Sequence, residues 1–276
     1  MSIIYKFNDN SLFYHHSIDN NPCPEDFKMH AHEMCEVLCV ISGNCRYLVE
    51  GSEYIIEPGS IMLMRPGETH KLKLMADSPY ERIAVHFTTD VVSKIDSQGR
   101  LLEAFVNRPL GQYNLYRRSS FRSAFVYDCL NAMKTDSNEK YFERLAVTSH
   151  LYPLLYEIRS TFYAMSKEAN TYQDISREIV EYVNCNLMSG DLSLELISQR
   201  FLLSKNQLNR LFKQATGTTV WQYVIIKRMM EARKMLRAGR PASEVCLACG
   251  FKDYSAFYRL YKKRFNTIPQ NDHLKL

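Results

Sequence analysis

Through much of the first half of the chain apolar residues recur at every second position, as in Lys71-Leu72-Lys73-Leu74 and in the series Glu81, Ile83, Val85, Phe87. That period sends successive side chains to opposite faces of a strand. The pattern predicts strands over 37–41, 46–49, 54–56, 61–64, 71–75 and 81–87, punctuated by Ser42-Gly43-Asn44, Glu50-Gly51-Ser52, Pro58-Gly59 and Pro66-Gly67. Strands so evenly spaced belong to a barrel or sandwich. Past residue 119 the period lengthens to three and four, with Phe121, Phe125 and Leu130, then Phe142, Leu145, Leu151, Leu155, Ile158 and Phe162. These are helices, the second expected to kink at Pro153. A polar stretch, 166–171, reads as a linker, and everything after it reads as helix.

A chain of 276 residues is long enough for about two domains. Its 46% hydrophobic and 24% charged content excludes collagen-like, low-complexity and wholly disordered classes. The longest apolar candidate, 145–156, is too short and too polar to cross a bilayer. The start lacks a secretory pattern, so the cytoplasm is the expected location. In that compartment the eight cysteines are expected as free thiols, and the lone pair Cys246 and Cys249 as core residues. A thiol-based redox sensor would need that pair to be reactive.

Charge divides unevenly. Residues 1–165 hold 17 Lys and Arg against 20 Asp and Glu, net −3, whereas 166–276 hold 18 against 10, net +8. A basic second half is the footprint of a segment that neutralises phosphates.

The basic half also repeats. At an offset of 49 residues Leu208-Asn209-Arg210-Leu211-Phe212-Lys213 falls on Phe257-Tyr258-Arg259-Leu260-Tyr261-Lys262, Ser204 on Asp253, and Gly217 on Asn266. Ser204 and Asp253 are helix N-caps, and Gly217 and Asn266 tolerate the left-handed turn that ends a helix. Each copy is a helix, a tight turn and a second helix: 193–201 with 204–215, and 242–249 with 253–265. Leu208, Leu211 and Phe212, with Phe257, Leu260 and Tyr261, make the core faces. Left outward are Lys205, Asn206, Asn209, Arg210 and Lys213 on one second helix, and Tyr254, Ser255, Tyr258, Arg259, Lys262 and Lys263 on the other. Asn suits adenine and Arg suits guanine in a major groove, while Lys and Ser suit phosphates; Arg210 and Arg259 could instead bind a neighbouring helix. A helix over 220–238 spaces the copies, with Trp221 expected as a core anchor.

These residues resemble the double helix-turn-helix domain of AraC/XylS-type transcriptional regulators, notably 208–213, Ala232-Arg233-Lys234-Met235-Leu236, Ala248-Cys249-Gly250-Phe251 and 265–269. Asn266 stands where the family usually has Gly, and Ile268 where Thr or Ser usually precedes the Pro. The resemblance implies a regulator of transcription bound to double-stranded DNA, acting with RNA polymerase as an activator more often than a repressor. It also implies base-proximal roles for Asn206, Asn209, Arg210, Tyr254, Ser255 and Arg259, and pairing of two subunits through the helices of 119–165. Intramolecular packing of those helices onto the barrel is the alternative.

In the first half, His30-x-His32-x-x-x-Glu36, then Gly43, Gly59 and Pro66-Gly67-x-x-His70, resembles the two motifs of the cupin barrel. Departures occur near Pro24 and at Arg65. Such residues could hold a divalent metal. In AraC-type sensor barrels they more often line a pocket for a small effector, by analogy a sugar or related metabolite. His30, His32, Glu36 and His70 are therefore the expected effector-binding set, joined by Arg82 if its strand turns it inward, with no bound metal and no cofactor. A metal-dependent cupin enzyme or metal sensor fused to a DNA-binding domain stays open. No catalytic triad, phosphate-binding glycine loop or paired catalytic carboxylates stands out. The fold expected is an all-β cupin-like barrel over 1–118, a helical segment over 119–165, a linker over 166–171 and an all-α domain with two helix-turn-helix units over 172–276.

Overall fold

A computed structural model describes residues 1–76, 78–165 and 175–274; the expected linker at 166–171 lies outside them. Contacts divide the chain into two compact units. The first comprises Met1–Lys28, Glu33–Val49 and Glu53–Tyr172, the second Met29–His32, Glu50–Ser52 and Gln173–Leu276.

In the first unit the strands are β1 (Ser2–Asn8), β2 (Leu12–Asp19), β3 (Cys35–Ser42), β4 (Cys45–Val49), β5 (Ser52–Ile56), β6 (Ser60–Met64), β7 (His70–Leu74), β8 (Tyr80–Phe87) and β9 (Leu115–Tyr116). They form a six-stranded sheet in the order β1-β2-β8-β3-β6-β9 and a three-stranded sheet in the order β5-β4-β7. Alternation splits β3 and β8 between two cores. Leu38, Val40, Tyr80 and Ala84 join Tyr47, Val49, Met62, Met64 and Leu72 in one cluster drawn from both sheets. Val37, Cys39, Ile83, Val85 and Phe87 join the helices in the other.

Those helices are α1 (Thr89–Ser93), α2 (Glu103–Val106), α3 (Phe125–Ala132) and α4 (Lys140–Met165). α4 runs across Pro153 as one helix, burying Leu151, Leu154, Leu155 and Ile158 on either side of it. The proline forfeits one backbone donor, and packing of that face outweighs the loss.

β1 and β2 extend the predicted set. β2 carries Tyr14, His15, His16 and Ser17 in succession, which hides its period. It is paired on both edges, by β1 and β8, so residues that would be wet on an edge strand are buried.

Fully buried Glu68 and Arg108 pin the turn before β7 to the segment after α2. Arg108 Nη1 and Nη2 donate to Glu68 Oε1 and Oε2 at 2.8 and 2.7 Å, and Arg108 Nε donates to the Ala104 carbonyl at 3.1 Å. Glu68 also accepts from the backbone N–H groups of Arg65 and Gly111 and from the Asn114 amide.

The second unit is helical: α5 (Ile175–Cys185), α6 (Leu194–Phe201), α7 (Lys205–Thr216), α8 (Val220–Arg237), α9 (Ala242–Ala248) and α10 (Tyr254–Phe265), closed by a 3-10 turn at Pro269–Leu274. It holds two small cores joined by α8. Val220, Tyr223 and Val224 pack with Ile197, Leu208 and Phe212, whereas Met229, Ala232 and Leu236 pack with Val245, Phe257 and Tyr261. Between these sets Arg228 is buried, its Nε, Nη1 and Nη2 donating to the carbonyls of Leu187, Gly250 and Ser189 at 2.8, 2.7 and 2.7 Å. Gly250 has φ +75°, and a Cβ there would lie 2.8 Å from the Arg228 guanidinium. Only glycine suits both the conformation and the approach.

Asp272 accepts from Tyr261 Oη and from Arg233 Nε, which fastens the closing turn to α10 and α8. Trp221 departs from expectation. It is 43% exposed, because its neighbours Val220, Tyr223 and Val224 supply the buried face of α8. Cys246 and Cys249 are buried, and burial pushes the Cys249 thiol up to about 12, so it stays protonated. No helix among the described residues is long and apolar enough to cross a membrane.

Candidate functional site

The repeated helix pairs owe their boundaries to local chemistry. Ser193 Oγ accepts from Leu196 N at the start of α6, and Leu202, in the left-handed conformation, ends it. Ser204 and Gln207 form a reciprocal capping box at the start of α7. Asp253 accepts from Ser255 N and Ala256 N at 2.9 and 3.0 Å at the start of α10. Gly217 and Asn266 both adopt the left-handed conformation at the C-caps. Such caps supply orphan N–H and C=O groups with partners and set where each helix begins and stops.

Within this frame Leu208, Phe212, Phe257 and Tyr261 are fully buried. Lys205, Asn206, Arg210 and Lys213 are exposed on α7, as are Tyr254, Ser255, Arg259, Lys262 and Lys263 on α10. Two of the expected residues stand differently. Asn209 is half-buried and its Oδ1 accepts from the Val220 N–H at 3.4 Å, which ties α7 to the start of α8. Tyr258 is half-buried as well. Lys205 pairs with Glu195, an exposed contact of little energetic weight.

In the β-rich unit, strand register determines which polar side chains meet. Glu36 lies directly opposite His86 of β8 and Met64 of β6. The Glu36 carboxylate has His70 Nε2 3.5 Å from Oε2 and His86 Nε2 3.4 Å from Oε1. His70 Nδ1 is 2.9 Å from the Glu68 carbonyl, an acceptor, so Nδ1 carries the proton. Arg82 lies opposite Val40 and Ser17, on the face it shares with Ala84 and His86, so it does turn inward. The same face presents His15 and the Tyr47 and Tyr80 hydroxyls, which lie 3.0 Å apart. Burial, then the nearby Arg82 and Lys6 charges, bring His15 down to about 4, leaving it neutral at pH 7. Burial raises both tyrosine hydroxyls, so they remain protonated.

His30 does not converge inside the barrel as expected. It is exposed, its ring 6.2 Å from that of His32, and both precede β3 in a segment whose contacts group it with the second unit. A chain outside a strand has no fixed parity, so the motif spacing could not aim His30. His15, Tyr47, Tyr80 and His86 are the inner-face residues that the sequence motifs did not single out.

The opposite face of the larger sheet carries a cavity of about 520 Å³ against α3, lined by His16, Cys39, Glu81, Arg118, Tyr127 and Asp128 among others. His16 Nε2 meets Glu81 Oε1 there at 2.8 Å.

Comparison with known proteins matches both regions. Residues 20–155 match the AraC-like ligand binding domain and residues 197–272 match a helix-turn-helix domain. The chain is 25% identical to the HTH-type transcriptional activator RhaS of Escherichia coli O6:H1 over 256 residues, covering 89% of this chain and 87% of that protein. Among solved structures, ToxT from Vibrio cholerae O395 is similar over 96% of this chain and 98% of its own, at 12% identity and a TM-score of 0.38. The C-terminal domain of AraT, a response regulator from Geobacillus stearothermophilus, is similar over 39% of this chain and 89% of its own, at 22% identity and a TM-score of 0.36.

Proposed function

We propose that this chain, which belongs to the AraC-type DNA-binding regulators of transcription, reads its operator with the exposed faces of α7 and α10 and takes its signal from a small polar molecule held inside the β-rich unit. The observation that carries the DNA half is the repetition itself. Two capped helices at an offset of 49 residues each bury an apolar face and expose Arg, Lys, Asn or Ser on the other. Arg210 and Arg259 read bases, with Asn206, Tyr254 and Ser255 beside them. Lys205, Lys213, Lys262 and Lys263 contact phosphates. Asn209 serves the helix junction through Val220 as much as any base.

Arg210→Ala should weaken binding to the specific operator by about 1 to 3 kcal/mol with unchanged thermal unfolding, since the side chain is exposed. Lys262→Ala should weaken binding to all sequences alike and lower the slope of log K against log salt by about one unit. Electrophoretic mobility shifts over a salt series separate the two. Equal losses on specific and random DNA for Arg210→Ala would remove it from the base readers.

The effector pocket is the inner face that carries Glu36, His70, Arg82, His86, His15 and the Tyr47–Tyr80 pair. By family analogy its occupant is a sugar or related metabolite, and the protein works in the cytoplasm alongside RNA polymerase; that it acts as an activator is supported by the name of its relative, the HTH-type transcriptional activator RhaS. An effector changes DNA binding only through different affinities for two states of the protein.

The proposed subunit partner is a second copy, paired through α4. Phe142, Tyr156 and Tyr163 recur on this helix at multiples of seven residues and are 46%, 56% and 40% exposed, with Leu145 beside them at 49%. That spacing forms one seam, the geometry by which two helices pack side by side. Tyr156→Glu should convert the dimer to monomer in analytical ultracentrifugation; a wild-type chain that sediments as a monomer at micromolar concentration would refute the pairing.

A further inference from the structure

We infer that the molecule bound in the β-rich unit is a hydroxylated carboxylic acid, its carboxylate held by Arg82. The inference rests on the effector reading above and narrows it to a chemical class. Register places Arg82 on the inner face, opposite Ser17 and Val40. Its guanidinium stands 5.0 Å from the Tyr80 ring centroid and 5.8 Å from that of Phe27. Aromatic rings take the flat face of a guanidinium and leave its N–H edge available for a planar acceptor. On that edge Nη2 meets the Met1 sulfur at 3.7 Å, a weak acceptor.

Charge on this face points the same way. The face presents two carboxylates, one from β3 and one from β2, and each already has a basic neighbour. Glu36 has the imidazoles of His70 and His86, and Asp19 has the N-terminal ammonium at 3.4 Å. Among the described residues no carboxylate lies within ion-pairing distance of Arg82. A half-buried guanidinium with a fixed plane, and with no acid beside it among the described residues, favours an incoming carboxylate, which it can grip with two parallel hydrogen bonds. Tyr80 touches Arg82, and its hydroxyl lies 3.0 Å from that of Tyr47, so groups able to donate to or accept from alcohols stand next to the carboxylate position. Together they suit a ligand with hydroxyls adjoining its acid group, as in a sugar acid.

The test is calorimetric titration and thermal shift of the full chain with galacturonate, gluconate, glucarate and malate, set against galactose, glucose and glycerol. Wild type, Arg82→Gln and Arg82→Lys are compared after their unliganded melting curves are shown to match. The expected result is a hydroxy acid that binds wild type at least about tenfold more tightly than its neutral counterpart, loses about tenfold or more with Arg82→Gln, and is partly restored with Arg82→Lys. A neutral sugar that binds wild type and Arg82→Gln equally, while the acids do not bind, would overturn the carboxylate class and leave the effector reading standing. An acid that binds equally well to Arg82→Gln would overturn the assignment to Arg82. Absence of binding by every compound would count against the class and the effector reading together.

Discussion

Arg108→Met is expected to remove about 3 to 5 kcal/mol from the stability of the β-rich unit, the largest single effect in that half. Arg108 and Glu68 are both fully buried, and the guanidinium serves both carboxylate oxygens and the Ala104 and Gln112 carbonyls. Removing it leaves a carboxylate in the core with neutral donors and only the more distant Arg65 Nε, 4.0 Å from Oε1, in place of a paired guanidinium. Urea unfolding followed by tyrosine fluorescence would measure the loss, and a midpoint close to wild type would sink the argument. Replacing both partners, Arg108→Met with Glu68→Gln, should recover much of the stability, because no unpaired charge then remains buried.

Acid titration gives the same interaction an opposite sign in the two proteins. Burial alone would raise the Glu68 carboxyl, but the bonds and charge of Arg108 and the Gly111 and Arg65 N–H groups outweigh it and hold the group below its ordinary value of 4.5. A carboxylate whose folded pKa is depressed adds stability above its unfolded pKa and loses it as pH falls through the folded one. Wild type should therefore weaken progressively below about pH 4.5. In Arg108→Met burial acts without the cation, the folded pKa lies above the unfolded one, and stability should instead fall as pH rises from about 4.5 toward neutrality. Because His70 Nδ1 donates to the Glu68 carbonyl, the variant should also bind effector less well at neutral pH.

Arg228→Met is expected to cost the helical unit about 3 kcal/mol or more and to abolish operator binding, although Arg228 touches neither base nor phosphate in the proposed interface. Its three donors hold the carbonyls of Leu187, Ser189 and Gly250, which lie in the turns before α6 and before α10. The first turn leads into α6, whose Ile197 packs on Leu208 and Phe212 of α7, and the second leads into α10, so one side chain couples the placement of the two reading helices. Arg228→Lys keeps the charge but cannot fork to three carbonyls, and should lose most of the same stability. Calorimetry together with footprinting over both operator sub-sites checks this. Wild-type melting combined with protection of both sub-sites would show that the carbonyl contacts are dispensable.

What could be read from the sequence depended on how local the governing contacts are. The strands β3 to β8 are visible because their alternation repeats within a few residues, and α7 and α10 because cap and core residues recur at one offset. β2 was hidden by its run of polar residues, whose burial depends on pairing with β1 and β8 from either side. The inner-face site was half legible. Glu36 and His70 sit in motif positions, but His86 meets Glu36 only through cross-strand register, and no spacing in the chain announces a partner 50 positions away. Arg82 illustrates the same limit, since its face was undetermined until Val40 and Ser17 were placed opposite it. Trp221 and His30 failed for a related reason: a bulky or imidazole side chain says little about which way its backbone points.

The guanidinium joint at Arg228 carries a consequence for promoters. Two probes welded at a fixed pitch behave as callipers, and callipers accept only one gauge. Inserting a single base pair between the operator's sub-sites would turn the second by about 35° around the duplex axis, and five would carry it to the far side. Regulated promoters should therefore tolerate base changes between the sub-sites far more readily than changes in the number of bases there.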